Sequence, residues 1–499
     1  MNLAGLITAA SYAERARIVG DAGVEVADLA YDSRKAGPGT LFFCVVGEKR
    51  DGHEFAGQVV EAGAAALVVE RELEVAVPQV VVPNARAAMA PFAAAFWGDP
   101  TAELKVVGIT GTNGKTTTAY LVREILGAAG IQTGLLGTVK QVVGGEEEPV
   151  ERTTPEGIEL QETFRRMLAR GDEACVMEVS SHALALQRAD AIHFDVAVFT
   201  NLTQDHLDFH TDMEDYFAAK RLLFEADPGV RIVNVDDPYG RRLAEEFDCL
   251  TFSAEGADAD YRAVDVEFDA TGATFTVLMG RKTTIWRTNR PVNTEVRVGM
   301  GLPGHFNVAN ALGAFAAAVA LGVDAETAAA GLAGAARVPG RFEPIDEGQG
   351  FAVLVDYAHT PDSMENVLRA ARRLTAGRLI AVFGAGGDRD KAKRPLMGRA
   401  GGVLSDLAVV TSDNPRSEDP GAIVAEVAAG AREGGAELIV EVDRHAAIAL
   451  ALGRAEPGDT VVIAGKGHEQ GQEFEGGRKV PFDDREVARA ELRKLGSPA

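Results

Sequence analysis

The stretch Gly108-Ile109-Thr110-Gly111-Thr112-Asn113-Gly114-Lys115-Thr116-Thr117-Thr118 (GITGTNGKTTT) decides how this chain is read. It follows the apolar run KVVGIT from Lys105 and precedes a helical pattern from about Lys115 to Ala129, closed by Gly130. Strand, glycine-rich turn and helix in that order are the context a phosphate-binding loop needs. Glycines let backbone N–H groups turn inward as an anion nest, and the helix N-terminus adds a favourable field. Lys115 is spaced to meet β/γ-phosphates, and Thr116 to ligate Mg²⁺. The general pattern wants a glycine at the position of Ile109, whereas this chain has it one residue earlier, at Gly108. The match is therefore to a variant, GTNGKT. A glycine-rich turn without a ligand is the plainer alternative, and the strand, the Gly-Lys pair and the threonine run together weigh against it. A phosphate loop alone admits a kinase, a GTPase switch, a motor or a ligase. The chain has no NKxD motif to read guanine, which weakens the switch.

Outward from the loop, 499 residues suggest about three domains. Residues 1–100 carry the β-rich runs LFFCVV, ALVV and QVVV around the helical segment EFAGQVVEAGA, and WGDPTAE (Trp97–Glu103) reads as a linker. Residues 101–338 carry CVMEV, FDVAVFT and RIVNV between helical patterns, which indicates an open α/β sheet. Alternation over 264–278 around Thr271-Gly272 predicts an antiparallel hairpin. ANALGAFAAAVALG predicts a helix with Leu312, Phe315 and Val319 on one face and Gly322 as its stop. After VPGRFE (Val338–Glu343), residues 339–499 repeat strands at AVLVDY, RLIAVFG, DLAVVT, ELIVEV and DTVVIAG, the spacing of a parallel sheet. The expected fold class is α/β in three domains.

Asp plus Glu number 74 against 50 Lys plus Arg, a net charge of −24, so the chain would repel nucleic acid and anionic membrane. Positive charge for an anionic ligand must then be local. Cys44, Cys175 and Cys249 form no CxxC pair, which argues against a disulfide framework or thiolate zinc. The N-terminus lacks a basic region before its apolar residues, and the longest apolar stretch, Ala311–Val323, is too short for a bilayer. The expected location is the cytoplasm.

Two further clusters end apolar strands. MEVSSHAL holds Glu178, Ser180, Ser181 and His182; TNLTQDHLDFH holds Asp205, His206, Asp208 and His210. Open α/β sheets bind ligands at their strand ends. Each acid or histidine alone is better explained as a cap or a hydrogen-bonded residue. Two clusters after a phosphate loop reverse that preference and make Glu178 and His206 candidate metal ligands. Lys220 in DYFAAKRLLF reads by itself as a surface lysine on a helix.

GTNGKTTT, MEVSSHAL, TNLTQDHLDFH, YFAAKRLLF, GHFNVAN, VPGRFE, DYAHTPD, GGDRDKAKRP, SDNPR and GKGHE occur in this order. Together, over nearly the whole chain from Asp32, they resemble the Mur ligase family of ATP-dependent peptide ligases. The resemblance implies a UDP-sugar-binding domain (1–100), a central ATPase (101–338) and a C-terminal Rossmann-like domain for the amino acid (339–499). It implies that the D-glutamate γ-carboxylate of a UDP-linked muramoyl dipeptide is phosphorylated by ATP and then attacked by an amine. The ATP set is Gly111, Thr112, Asn113, Gly114, Lys115, Thr116, Thr117, Asn307, Arg341, Asp356 and His359. Lys115, Glu178, His206 and Lys220 are the implied catalytic residues. Thr116 and Glu178 would hold one Mg²⁺ and His206 a second, with Lys220 joining as a carbamate that turns a cation into an anion. Ser33, Thr153, Thr154, Ser180 and Arg188 match UDP-sugar-peptide contacts. Some relatives carry Gln two residues before the arginine; here that position is Leu186, and Gln187 receives no role.

DNPR (Asp413–Arg416) goes, in this family, with diaminopimelate rather than lysine. Diaminopimelate is lysine with a further carboxylate at its far end, which an arginine fork binds bidentately. Arg389, Asp413, Asn414, Pro415, Arg416, Gly465 and Glu469 form the implied diaminopimelate set. By spacing alone an Asn-Pro turn with a surface arginine would be the simpler reading. The partners expected are small molecules acting on a monomer. A related ligase adding L-lysine or acting on folyl-polyglutamate, and a non-catalytic nucleotide switch, are the alternatives. The switch would leave Glu178, His206 and Lys220 idle.

Overall fold

The computed structural model describes residues 1–496 except 48–49, 151, 270, 281–283, 286–289 and 292–294. The chain folds as two compact units. The first comprises Met1–Thr110, Gly130–Ala197 and Ala219–Val230; the second comprises Gly111–Ala129, Val198–Ala218 and Arg231–Ala499.

In the first unit the runs near the N-terminus pair as a five-stranded sheet in the order Arg17–Val19, Gln79–Val81, Ala66–Val69, Thr40–Phe43, Asp28–Ala30. Only Arg17–Val19 is antiparallel to its neighbour. Leu41, Phe43, Val68 and Phe92 fill its core, with the Phe43 and Phe92 rings edge to face at 5.8 Å. The helix Ala85–Trp97 is capped by the Asn84 side chain and packs on the helix Gly157–Ala169. That approach is close: a Cβ on Gly157 would stand 2.7 Å from the Ala90 Cβ. The strand Lys105–Thr110 pairs in parallel with Ala174–Glu178, which pairs in parallel with Thr133–Leu136. Apart from the half-buried Lys105 all three are buried, as apolar runs covered on both faces should be. The predicted strand in FDVAVFT is present at Val196–Phe199.

In the second unit the helix Lys115–Ala128 packs on His305–Ala320 and Ala325–Gly334. The helix His305–Ala320 departs from the expectation of one apolar face. Every residue from Ala311 to Ala320 is buried, because alanines and Gly313 let neighbours close in on all sides. The predicted hairpin forms from Tyr261–Asp269 and Gly272–Met279, with an irregularity between Val264 and Glu267; Ala270 in its turn lies outside the described residues.

The C-terminal runs form a six-stranded sheet ordered Glu343–Pro344, Ala352–Asp356, Thr460–Ala464, Leu379–Phe383, Leu407–Val410, Glu437–Val440. All pairings are parallel except the first, as the spacing predicts. The strands end at Asp356, Ala464, Phe383 and Val410, so DYAHTPD, GKGHE, GGDRD and SDNPR leave the same edge of the sheet. That carboxyl edge is where such sheets bind ligands.

Candidate functional site

The phosphate loop belongs to the second unit and needs two of its glycines. Gly111 and Gly114 have φ of +148° and +86°. A Cβ on Gly111 would overlap Thr200 Oγ1, and one on Gly114 would overlap Asn310 Oδ1. The loop is braced from 200–203: Asn113 N–H donates to Asn201 Oδ1 at 2.9 Å and Thr112 Oγ1 to the Thr203 carbonyl at 3.1 Å. Lys115 Nζ donates to the carbonyls of Gly111 and Thr112, both at 2.8 Å, so its ammonium lies along the loop. Thr116 and Thr117 are buried in the first turn of the helix.

Distant motifs converge on this loop. Arg341 Nη2 donates to Thr116 Oγ1 at 3.0 Å, and Asn113 Nδ2 to Asp362 Oδ2 at 2.9 Å. Asn307 and Asn310 are buried and linked at 3.3 Å, and Asn307 Nδ2 donates to the Pro303 carbonyl. Asp356 accepts from Phe342 N–H at 2.7 Å, and burial pushes its carboxyl up to about 6. His359 Nδ1 donates to the Tyr357 carbonyl at 2.8 Å. His206 has φ +57°, and its ring lies 3.4 Å from Asp205. Burial would raise Asp205, but the charges of His206, Lys393 and His359 prevail and hold it well below the usual carboxylate range.

The amino-acid end lies in the same unit. Asn414 Nδ2 donates to Glu469 Oε2 at 2.8 Å, and its Oδ1 accepts from Lys466 Nζ at 2.8 Å and Glu473 N–H at 3.0 Å. Lys466 is buried and also reaches Glu469 at 3.1 Å and Asp413 at 3.7 Å. Burial opposes ionisation of Asp413, yet Lys466 and Arg444 hold it below its ordinary value. Gly465 has φ +121°, and a Cβ there would come 2.5 Å from Asp413 Oδ2. Arg416 has φ +51°; its Nε donates to Glu473 at 3.1 Å and its Nη1 to the Gly387 carbonyl at 2.6 Å. Gly387 packs directly under the Pro415 carbonyl. Arg389 does not join this network: its nearest carboxylate is Asp208 at 4.0 Å.

In the first unit Thr154 Oγ1 donates to the Glu178 carbonyl at 2.9 Å and accepts from Ser180 N–H at 3.2 Å. Ser180 caps the helix Ser181–Ala185. Thr138 joins Thr153 and Glu178: its Oγ1 is 3.1 Å from Thr153 Oγ1 and 3.1 Å from Glu178 Oε2, and its N–H donates to Glu178 Oε1 at 2.8 Å. Arg188 Nε lies 3.0 Å from the buried Glu156 carboxylate. Ser33 is partly exposed after the strand Asp28–Ala30. Lys220 is fully buried, at 1% exposure, which overturns its reading as a surface lysine.

Three family models match in chain order: "Mur ligase family, catalytic domain" over residues 25–97, "Mur ligase middle domain" over 109–318, and "Mur ligase, glutamate ligase domain" over 340–467. A relative from Streptomyces coelicolor, named UDP-N-acetylmuramoyl-L-alanyl-D-glutamate--2,6-diaminopimelate ligase, is 49% identical over 95% of this chain and 94% of its own. One of the same name from Geobacillus thermodenitrificans is 46% identical over 94% and 95%. A solved structure under that name superposes with TM-score 0.67 at 31% identity, covering 95% of this chain and 96% of the other. The chain belongs to the Mur ligase family.

Several residues of this Mur ligase went unnoticed in its sequence. Glu156 gathers Arg86 at 3.1 Å, Arg152 at 3.1 Å and Arg188, and it stands two residues beyond Thr154 in ERTTPEG. Lys466 sits inside GKGHE, between two residues that were singled out. Arg444 and Asp484 pair at 2.7 Å with neither side chain exposed, and Arg444 also donates to the carbonyls of Ser412 and Ala464. Nothing local marks that pair.

The implied Mg²⁺ is tested by its donors. Thr116 and Glu178 supply a hydroxyl and a buried carboxylate, hard oxygens of the kind Mg²⁺ takes, while His206 is a less usual ligand. Among the described residues no three His, Cys, Asp or Glu side chains gather as a metal cage.

Proposed function

We propose that this Mur ligase joins meso-diaminopimelate to the D-glutamate γ-carboxylate of UDP-N-acetylmuramoyl-L-alanyl-D-glutamate, with ATP cleaved to ADP and phosphate. It would thus supply a peptidoglycan precursor. The observation that carries the amino-acid assignment is the Asp413–Arg416 loop, where Asn414, Lys466 and Glu469 interlock beside the Arg416 fork. The site residues and the domain limits 1–100, 101–338 and 339–499 belong to this proposal.

A carboxylate is a poor electrophile, and phosphorylation provides it with a leaving group. The γ-carboxylate oxygen attacks the γ-phosphorus and ADP leaves. The amine nitrogen then attacks the acyl carbon, loses its proton, and phosphate departs as the amide forms. Lys115 and Arg341 offset charge on the phosphates, with Arg341 already seated on Thr116. Asn307, Asp356 and His359 hold the nucleotide. Ser33, Thr153, Thr154, Ser180 and Arg188 orient the UDP-dipeptide. Arg416 reads the distal carboxylate, and Asp413 and Glu469 accept from the ammonium beside it. Thr116, Glu178, His206 and a carbamylated Lys220 would hold two Mg²⁺, which supply charge neutralisation to the triphosphate and developing oxyanions when bound. A carbamate on Lys220 would supply an anion at that buried position, where a bound cation needs one. Lys220→Ala rescued by short carboxylates supports this; an unmodified Lys220 in fully active enzyme refutes it. The protein works as a cytoplasmic monomer in this reading. Among the described residues no helix is long and apolar enough to cross a membrane.

A panel of amino acids with UDP-dipeptide and ATP tests the function. Phosphate release only when both UDP-dipeptide and meso-diaminopimelate are present is the expected result. Equal use of L-lysine refutes the specificity, and phosphate release from ATP alone refutes the ligase.

A further inference from the structure

Tyr357 follows the strand Ala352–Asp356 and was given no role in DYAHTPD. The Arg341 guanidinium lies over its ring, 4.6 Å from the centroid, while the Nη2 of that arginine donates to Thr116. The Tyr357 hydroxyl donates to Glu469 Oε1 at 3.3 Å. The other Glu469 oxygen accepts from Asn414 and Lys466, the residues that organise the Asp413–Arg416 loop. The rings of His359 and His468 flank the tyrosine at 4.6 Å and 5.0 Å. Gly467, at φ +53°, closes the remaining space: a Cβ there would stand 2.8 Å from Tyr357 Cβ and 2.6 Å from the Gly340 carbonyl. The ring therefore touches both the loop that presents Arg341 and the loop that presents Glu469. Burial and the Glu469 carboxylate push the phenol upward, so it stays protonated and donates.

We infer that Tyr357 is a positioning residue that links nucleotide binding to amino-acid binding, by carrying Arg341 on its face and Glu469 on its hydroxyl. The inference rests on the function proposed above. Nucleotide phosphate that draws on Arg341 settles the guanidinium on the ring. The ring in turn sets the hydroxyl, and with it the Glu469 carboxylate that meets the amino-acid ammonium. Coupling of this kind is reciprocal: the amino acid must tighten nucleotide binding by the same factor.

The test uses the full chain with two variants. Tyr357→Phe keeps the ring under Arg341 and removes the donor to Glu469. One hydrogen bond to a carboxylate, at this long distance, sets the expected rise in KM for meso-diaminopimelate at ~10-fold. The KM for ATP should stay within about twofold and kcat within about threefold. Tyr357→Leu removes both contacts and should raise both KM values. Calorimetry then measures the meso-diaminopimelate Kd with UDP-dipeptide, with and without a non-hydrolysable ATP analogue. The analogue should tighten binding to the wild type, and this gain should disappear in both variants. An unchanged amino-acid KM in Tyr357→Phe, or an intact gain in either variant, overturns the inference. The wild type keeps the two questions apart. No phosphate release with meso-diaminopimelate refutes the proposed function, whereas an active wild type with an indistinguishable Tyr357→Phe refutes the coupling alone.

Discussion

Replacing Arg416 by lysine keeps a positive charge and a Cβ at φ +51°, so the backbone strain of that position is common to both proteins. What changes is the fork. Arg416 gives Nε to Glu473 and one Nη1 proton to the Gly387 carbonyl, which leaves the second Nη1 proton and an Nη2 proton to meet a carboxylate end-on in bidentate geometry. A lysine ammonium is a point charge that cannot hold Glu473, Gly387 and two substrate oxygens at once. Losing one charge-assisted hydrogen bond costs ~1.5–3 kcal/mol, or ~10- to ~150-fold in kcat/KM at 1.36 kcal/mol per decade. The side chain is 22% exposed, so solvent screening points to the lower half of that range. The assay is phosphate release at saturating ATP and UDP-dipeptide, with meso-diaminopimelate and L-lysine compared side by side. The loss should fall on meso-diaminopimelate alone, since L-lysine has no distal carboxylate, and the KM for ATP should stay within about twofold. Equal losses for both amino acids, with an unchanged melting temperature, would refute the reasoning.

Three further outcomes are expected. Gly114→Ala forces a Cβ into Asn310 Oδ1 at φ +86°, adding ~1–2 kcal/mol of backbone strain to the overlap, and should raise the KM for ATP at least ~10-fold; an unaltered KM would show that the loop does not seat phosphate. The carboxyl of Asp356 is raised to about 6 by burial, so its favourable share of stability is complete below the unfolded value and vanishes as pH rises through about 6. In urea titrations Asp356→Asn should therefore gain on the wild type between pH ~4 and ~7, by up to ~3 kcal/mol, and a constant difference across that window would contradict this. Arg444→Met leaves Asp484 buried without its partner and should cost ~3–5 kcal/mol, seen as a lowered melting temperature. Adding Asp484→Met to it should recover part of that loss.

How much was legible in the sequence follows from range. Strands, helices and the hairpin were readable because periodicity, glycine stops and apolar runs act over a few residues. The helix His305–Ala320 was recognised but not its burial on every side, since small residues reveal helix propensity and not how many neighbours close on them. The candidate site was legible as motifs, with Lys115 and Thr116 following from strand, glycine turn and helix. The burial of Lys220 was not, because nothing in YFAAKRLLF tells a buried lysine from a solvated one.

By itself the order of motifs determined the family, the α/β class and the phosphate loop, because each depends on residues adjacent in the chain. Only the tertiary structure decided which motifs act on one another. Arg341 meets Thr116 across 225 positions and Asn113 meets Asp362 across 249. Tyr357 meets Glu469 across 112, and Arg444 meets Asp484 across 40 without any motif to mark it. A parallel sheet delivers its strand ends to one edge whatever their distance along the chain, and charges gathered there must find partners as they leave water. Those pairings, not the motifs, join Arg341 to Thr116 and Tyr357 to Glu469.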